Sequence, residues 1–302
     1  MLKPILRESF RKLMSALLKR NSFKAVIRER VKTESPKTTV YLEYPLDSKP
    51  RYINPHPRLN HIIDRNRGSF VDHLRSFLDY QDSLSRIPLN ESNSSSAEPY
   101  WTNTYLPEID STSLYCFLAR NNAERYFEIG SGNSTRFARR AINDHSLRTR
   151  ITSIDPEPRS EIANISDRNI RTPLEDLDLS IFSELGPGDV LFLDCSHCIY
   201  MNSDATVFFM DILPSLRTGV TVGVHDIFLP FDYPAEWVNR YYSEQYVLAA
   251  YLLAEGGRFE TLLANSFVSH DRELRAILSP MWQRVGLNGS LRTGSAFWLR
   301  IT

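Results

Sequence analysis

RYFEIGSGNST, at residues 125–135, carries the strongest structural signal in this chain. Its apolar start predicts a buried strand at Arg125–Ile129, and the two glycines that follow, Gly130 and Gly132, predict a tight turn. A helix is then predicted from about Ser134 to Asn143. Because the first N–H groups of a helix have no partner within it, this strand–loop–helix segment is expected to bind a ligand at its loop.

Six further apolar runs are typical of strands, and they alternate with segments of helical periodicity. The predicted strands are 150–154, 169–172, 189–193, 220–224, 259–264 and 296–300, and the main predicted helices are 69–84, 114–119, 205–216 and 244–253. Such alternation indicates a largely parallel sheet with helices on both faces. In sheets of this kind, ligands bind beyond the carboxyl ends of the strands.

Asp155 follows the second predicted strand, where an acid can accept hydrogen bonds from ribose hydroxyls. This position fits a dinucleotide as well as S-adenosylmethionine. A dinucleotide fingerprint needs a third glycine where this chain has Thr135. In addition, Glu128 would repel a pyrophosphate but suit the cationic methionine end of S-adenosylmethionine. Both residues favour S-adenosylmethionine and argue against a nicotinamide-dependent oxidoreductase.

Four segments make the ligand class more specific: EIGSGNST (128–135), SIDP (153–156), FLDCSH (192–197) and VHDIFLP (224–230). Together they resemble class I S-adenosylmethionine-dependent methyltransferases, and most closely the methyltransferase-24 branch, over roughly residues 99–302. The resemblance implies a Rossmann-like α/β fold with a seven-stranded, mostly parallel sheet and an antiparallel last strand. It also implies that Gly130 and Gly132 lie along the cofactor and that Asp155 holds its ribose.

Candidates for the chemistry follow the fourth and fifth predicted strands: Asp194, Ser196, His197, His225 and Asp226. Asp194 is expected either to face the methionine end of the cofactor or to bind a metal, with helix capping as the structural alternative. His225 is the preferred general base, since its near-neutral pKa suits that role, and Asp226 would orient it.

Two alternatives stay open for this group. Asp194 and Asp226 are the candidate ligands of a divalent cation such as Mg²⁺, which would lower the pKa of an acceptor hydroxyl. This arrangement resembles the metal-dependent catechol-type methyltransferases, although His225-Asp226 departs from their usual Asp-Asn pair. In the structural alternative, His225 is only hydrogen-bonded in a turn. A zinc site at Cys195–Cys198 is disfavoured, because no second pair of ligands lies at suitable spacing.

The amino-acid composition excludes some classes of protein and favours others. Lys plus Arg and Asp plus Glu each number 36, so bulk charge does not indicate a polyanion-binding protein. Three cysteines, with neither a long apolar stretch nor a secretory signal, predict a cytoplasmic protein. Nucleic acid is disfavoured as a substrate, because positive charge concentrates in the first 37 residues and the remainder is net acidic.

Two regions are predicted. Residues 1–98 hold a basic amphipathic helix at 2–30, a proline-rich extended stretch at 34–67 and a polar linker at Asn90–Glu98, whereas residues 99–302 form the cofactor-binding domain. The basic helix is suited to an anionic membrane or a partner, or equally to packing on its own domain.

The function expected from these features is methyl transfer to a hydroxyl of a small molecule or glycan precursor. Aromatic and proline residues at 228–237 predict a stiff loop over the acceptor, with Trp101 and Tyr105 as further candidates for the pocket. The alternative is a non-catalytic nucleoside-binding or scaffold protein with a methyltransferase-like fold.

Overall fold

Seven strands form one mixed sheet in the structure, a computed structural model that describes residues 43–44, 49–91, 97–287 and 292–302. They are β1 (Arg125–Ile129), β2 (Arg150–Ile154), β3 (Arg168–Ile170), β4 (Val190–Leu193), β5 (Thr221–Val224), β6 (Phe259–Ala264) and β7 (Phe297–Ile301). The strand order is β3-β2-β1-β4-β5-β7-β6, and only β7 is antiparallel, pairing with both β5 and β6. The predicted seven-stranded sheet with an antiparallel last strand is therefore confirmed.

The centre of the sheet is buried on both faces. Every residue of β4 and β5 is buried, as expected for short apolar runs in a covered parallel sheet. Gly223 in β5 is required by packing, since a Cβ there would lie 2.7 Å from both Phe192 and Trp298. These two large rings fill the space that a side chain on β5 would otherwise occupy.

Helices cover the sheet on either side. They are α1 (Pro57–Asp64), α2 (Arg67–Phe77), α3 (Gln81–Leu84), α4 (Glu108–Asn121), α5 (Asn133–His145), α6 (Ser160–Ala163), α7 (Asp204–Val207), α8 (Glu244–Ala254), α9 (Asn265–His270), α10 (Arg272–Ile277) and α11 (Ser279–Val285). No helix among the described residues has the length and apolar character that would let it cross a membrane.

One sequence-based prediction of local structure was wrong, and another was correct but less detailed than the structure. The predicted extended stretch 34–67 contains α1, which begins at Pro57; proline is favoured there because the first helical N–H needs no partner. The segment predicted to be helical at 205–216 is helical in the structure, as α7 followed by a π-helical turn at Phe208–Ile212 and a 3-10 turn at Leu213–Ser215. Pro214 lacks the N–H that a continuing α-helix would use.

The chain divides into two compact units, Met1–Asp47 and Ser48–Thr302. Helices α1 and α2 belong to the second unit, and their apolar residues Leu59, Phe70 and Phe77 are buried in the same core as the sheet. The boundary predicted between residues 98 and 99 stays a prediction. The basic helix predicted at 2–30 lies outside the described residues, as does most of the linker.

The sheet brings the predicted site residues to one edge. Strands β1, β2, β4 and β5 run parallel, so the residues that follow them lie side by side. Gly130, Asp155, Asp194 and His225 each come directly after one of these strands. The carboxyl edge of the sheet is therefore the place where the glycine loop and the candidate catalytic residues meet.

Candidate active site

The glycine loop passes very close to the end of β4. Gly130 has a left-handed φ of +80°, and a Cβ at this position would lie 1.9 Å from the backbone oxygen of Asp194. Gly132 is more open, because the nearest atom to a Cβ placed there would be the end of the Arg159 side chain, at 3.4 Å. Glycine is thus required at position 130 by the contact with the end of β4, whereas the space beside Gly132 is open to a ligand.

Glu128 lies under this loop and is fully buried. Its carboxylate accepts hydrogen bonds from the hydroxyls of Thr135 at 2.6 Å, Ser134 at 3.0 Å and Tyr126 at 3.2 Å. Thr135 in turn accepts the N–H of Gly132 at 3.0 Å. The carboxylate thus anchors the loop through the start of α5, and its predicted direct contact with the cofactor stays a prediction.

Burial raises the pKa of Glu128 to about 7, against the opposing effect of its three hydroxyl donors. A raised folded-state pKa contributes stability at acid pH that is lost as pH rises from about 4.5 to about 7. Replacing Glu128 by Gln should remove this dependence, because the amide keeps hydrogen bonds to the loop but cannot ionise. Between pH 5 and pH 8, we expect the wild-type protein to lose about 2 kcal/mol more unfolding free energy than E128Q.

Urea unfolding across this pH range measures the difference. The matched control is Glu175→Gln, an exposed acid, which should follow the wild-type pH curve. Parallel curves for wild type and E128Q would contradict the assignment of a buried, proton-binding carboxyl beneath the loop.

Asp155 joins the end of β2 to the glycine loop. Its Oδ2 atom accepts the N–H of Ser131 at 3.0 Å and the Ser131 hydroxyl at 2.6 Å, and Oδ1 accepts the N–H of Glu157 at 2.9 Å. The side chain is only partly buried, so the carboxylate still borders solvent beside the loop. This position agrees with the predicted ribose contact, which itself stays a prediction.

The ends of β4 and β5 hold a group of acids and histidines. His225 is buried between two carboxylates: Nδ1 is 3.3 Å from Asp194 Oδ1, and Nε2 is 3.3 Å from Asp110 Oδ2 without a well-aligned hydrogen bond. Burial alone would lower the pKa of His225, but Asp226 and Asp194 raise it well above its ordinary value. The neighbouring acids thus favour the charged form of the ring, which suits a role in positioning Asp194; the predicted role of His225 as general base stays a prediction.

His197 is the second histidine of the group, and it faces the same acids. Its Nδ1 atom lies 2.5 Å from Glu244 Oε1, a fully buried carboxylate at the start of α8. Its Nε2 atom lies 3.4 Å from Asp194 Oδ1 and 3.6 Å from Asp226 Oδ2. Metal-binding histidines are commonly oriented in this way, by a carboxylate that holds one ring nitrogen and leaves the other free to face the metal and its acidic ligands.

Asp194, His197 and Asp226 together offer a candidate cation site. One ligand atom from each residue lies within 4.8 Å of the other two. The donors are two carboxylates and one imidazole, and Asp194 is the most exposed of the three, with 34% of its side chain open to solvent. The structure thus brings together the predicted metal ligands Asp194 and Asp226 and adds His197 to them.

The charges around this group support the same interpretation. Four carboxylates, from Asp110, Asp194, Asp226 and Glu244, surround only two histidines, so the group stays net negative even when both histidines are protonated. Buried acids in excess of their partners are costly unless a cation compensates them. The donor set therefore fits a divalent cation.

Two residues of the site adopt backbone conformations that are uncommon outside glycine. His197 has a φ of +60° and Asp226 a φ of +54°. Such left-handed conformations cost free energy in residues with a Cβ, and they cluster at functional sites. Both residues lie in the loops that follow β4 and β5, where His197 Nε2 and Asp226 Oδ2 face each other at 3.6 Å.

Aromatic rings continue from the histidines to the surface. Phe228, Trp237, Tyr242 and His197 form an aromatic row, with successive ring centroids 5.2, 5.6 and 4.4 Å apart. The 228–237 segment thus lies beside the site. Trp101, by contrast, is a core residue that packs on Phe137 and Trp282.

Two further sequence-based candidates were Tyr105, for the acceptor pocket, and the cysteines, for the disfavoured zinc site. Tyr105 is 75% exposed. Cys195 and Cys198 are free, and their thiols contact Glu244 and the backbone oxygens of residues 240 and 241. Neither cysteine belongs to the candidate cation site among the described residues.

The residue that sequence reasoning missed is Glu244. It lies 47 positions from His197 along the chain, and its place at the start of a helix is where acids commonly occur for electrostatic reasons. Asp110 lies within the part of the chain that resembles the family, but nothing around it indicates a contact with His225. Neither acid carries a local sequence signal for its histidine partner.

Comparison with known proteins agrees with this geometry. Residues 127–227 match a family model described as a methyltransferase domain. No curated protein sequence matches the chain.

Several solved structures are similar to it. The SAH-bound methyltransferase PaMTH1 of Podospora anserina is 14% identical over 87% of this chain and 100% of its own, with a TM-score of 0.38. The plantazolicin methyltransferase BpumL in complex with SAH is 13% identical over 80% of this chain and 99% of its own, with a TM-score of 0.38. A putative O-methyltransferase from Klebsiella pneumoniae is 11% identical over 92% of this chain and 96% of its own, with a TM-score of 0.34.

These TM-scores are low, so the fold assignment depends on the observed strand order and on the family match. The matched segment runs from β1 to just beyond β5, and it includes the glycine loop, Asp155, Asp194 and Asp226. The resemblance predicted from the sequence is thereby confirmed. Residues 127–227 thus resemble the methyltransferase-24 family, and they lie within a seven-stranded sheet of the Rossmann-like methyltransferase type.

Proposed function

We propose that this protein transfers the methyl group of S-adenosylmethionine to a hydroxyl of a small molecule or glycan precursor. The observation that carries the proposal is the grouping of Asp194, His197 and Asp226 beside the glycine loop, with ligand atoms within 4.8 Å of one another. A hydroxyl is a poor nucleophile until it loses its proton, and this group of residues is suited to assist that loss.

The roles follow from position. Gly130 lets the loop pass against the end of β4, and Gly132 leaves room for the cofactor. Glu128 anchors the loop from below, and Asp155 faces the ribose. Asp194, His197 and Asp226 would hold a divalent cation such as Mg²⁺ or Mn²⁺, with Glu244 fixing the orientation of the His197 ring. A bound cation would lower the pKa of the acceptor hydroxyl, which supplies the proton loss without a neutral histidine.

His225 acts in this proposal as a positioning residue. It lies between Asp110 and Asp194, so it links α4 to the acid that borders the cleft. Asp110 is itself fixed, because it accepts the backbone N–H groups of Ser295 and Ala296 at 2.8–2.9 Å. The arrangement restrains Asp194 at the point where β4 ends.

Two expectations from the sequence accompany the proposal. One is a cytoplasmic location, and the other is contact of residues 2–30 with an anionic membrane. Both depend on composition and periodicity alone.

Calorimetric titration with S-adenosylmethionine, with NAD as the control ligand, tests the cofactor. We expect binding of S-adenosylmethionine alone, and a loss of about 10-fold or more in affinity in Asp155→Ala, because hydrogen bonds to a charged group contribute roughly 1.5–3 kcal/mol. Since Asp155 also supports the loop, Ser131→Ala is the matched variant: it removes one loop hydrogen bond but keeps the carboxylate.

Affinity in Ser131→Ala should fall much less than in Asp155→Ala. Absence of S-adenosylmethionine binding up to millimolar concentration would refute the proposed cofactor. Binding without turnover on any acceptor would instead support the non-catalytic alternative.

A further inference from the structure

One exposed arginine beside the site has donors that meet no acceptor among the described residues. Arg240 ends a 3-10 turn at Ala235–Arg240, and its guanidinium carbon lies 3.8 Å from the ring centroid of Trp237 and 5.5 Å from that of Tyr242. Across the described ranges, no carboxylate lies within ion-pair distance of this guanidinium. Two aromatic rings therefore hold a cation whose N–H groups are open to solvent.

Arg240 is close to the candidate active site. The Tyr242 ring that it contacts also lies against the His197 ring, with ring centroids 4.4 Å apart. The distances of 5.5 and 4.4 Å place the guanidinium carbon within about 10 Å of the His197 ring. The backbone that follows Tyr242 is also held against His197, because the N–H of Ser243 donates to the His197 backbone oxygen at 2.8 Å. Arg240 thus lies beside Trp237 and Tyr242, the two middle rings of the aromatic row.

Tyr242 lies between groups of different charge along the chain of contacts. It contacts His197, which is surrounded by Asp194, Asp226 and Glu244, and it contacts the positively charged Arg240. An anionic group on the acceptor is attracted to Arg240, which favours the orientation of the acceptor that places this group beside the guanidinium.

Arginine is suited to this role. Its planar guanidinium stacks on aromatic faces and still presents paired N–H donors at its edge, a geometry that matches both carboxylate and phosphate groups. Stacking on Trp237 also fixes the side chain before a ligand arrives, which reduces the entropy lost on binding.

We propose that Arg240 binds an anionic group, a carboxylate or a phosphate, on the methyl acceptor, and that it thereby determines which acceptors are used. This inference rests on the proposed function. The acceptor hydroxyl lies beside His197, and the anionic group lies beside Arg240. Acceptors of one or two rings fit such a separation.

Tryptophan fluorescence reports binding at this position without any need for turnover. Trp101, Trp282 and Trp298 are buried, whereas Trp237 is partly exposed beneath the guanidinium. Inorganic phosphate and glucuronate are titrated at constant ionic strength, with glucose as the neutral probe. We expect a saturable change in tryptophan fluorescence with at least one anion and no change with glucose. The change should be lost in Trp237→Phe. The two anions distinguish a phosphate from a carboxylate preference.

The decisive variant is Arg240→Gln, in which anion affinity should fall at least about 10-fold. Its matched control is Arg217→Gln, an exposed arginine before β5, at the opposite end of that strand from the site, which should bind as wild type. Equal anion affinity in the two variants, or an equal response to glucose, would overturn the inference.

Calorimetry and activity separate this inference from the proposed function. Arg240→Gln should keep its affinity for S-adenosylmethionine, so cofactor binding with no Arg240-dependent anion response would refute the inference alone. Failure of the wild-type protein to bind S-adenosylmethionine would refute the proposed function instead. With an acceptor acid and its methyl ester as a pair, Arg240→Gln should raise KM about 10-fold for the acid only.

Discussion

Asp194→Asn is expected to weaken binding of Mn²⁺ by at least about 100-fold, since even loss of an outer-shell partner of a metal ligand typically costs 10–100-fold. The substitution keeps the size of the side chain and its place at the end of β4. It removes the negative charge that faces His197 and His225 and that borders solvent. Titration of Mn²⁺ followed by electron paramagnetic resonance measures the free ion directly.

The matched control is Asp211→Asn, an exposed acid outside the candidate cation site. This variant should bind Mn²⁺ as wild type does. The same affinity in Asp194→Asn and Asp211→Asn would rule out Asp194 as a ligand. Thermal unfolding of both variants verifies that the comparison is made between folded proteins.

Gly130→Ala is expected to abolish binding of S-adenosylmethionine and to lower the free energy of unfolding by at least about 2 kcal/mol. The left-handed conformation alone costs a residue with a Cβ roughly 1–2 kcal/mol. The new Cβ would also lie 1.9 Å from the Asp194 oxygen, so the loop and the end of β4 must separate. Urea unfolding and calorimetric titration measure the two effects.

Gly186→Ala is the control for this change, because nothing lies within 4 Å of a Cβ there and no left-handed φ is involved. It should unfold and bind as wild type. Near-normal stability of Gly130→Ala would show that the loop does not need its close contact with β4.

The sheet was predictable to a large extent, for physical reasons that particular strands illustrate. β1, β2 and β6 have the bounds that the sequence predicts, because each is a short apolar run flanked by polar or turn residues. The predicted boundary of an element was wrong where prolines were interpreted as a sign of extended loop, at residues 34–67. Proline breaks a helix interior but starts one easily, and at Pro57 the second effect applies.

The sequence could predict only those site residues whose positions follow from the order of the strands. Gly130, Asp155 and Asp194 follow strands directly and Asp226 is the second residue after β5, so strand order alone brings them together. The partner of His197 is different, because Glu244 comes from a helix whose packing depends on the whole domain. A polar residue at a helix start looks the same in sequence whether it faces solvent or a buried imidazole.

The position of β7 between β5 and β6 has a consequence for how the protein is made. While residues up to about 290 are being synthesised, β5 and β6 have no strand between them, and Asp110 lacks the backbone N–H groups of Ser295 and Ala296. The nascent chain therefore exposes two unpaired strand edges, a state that favours aggregation. Residues 292–301 supply the strand between β5 and β6 and the N–H groups that fix Asp110, so the seven-stranded sheet and the surroundings of His225 are completed by the same segment.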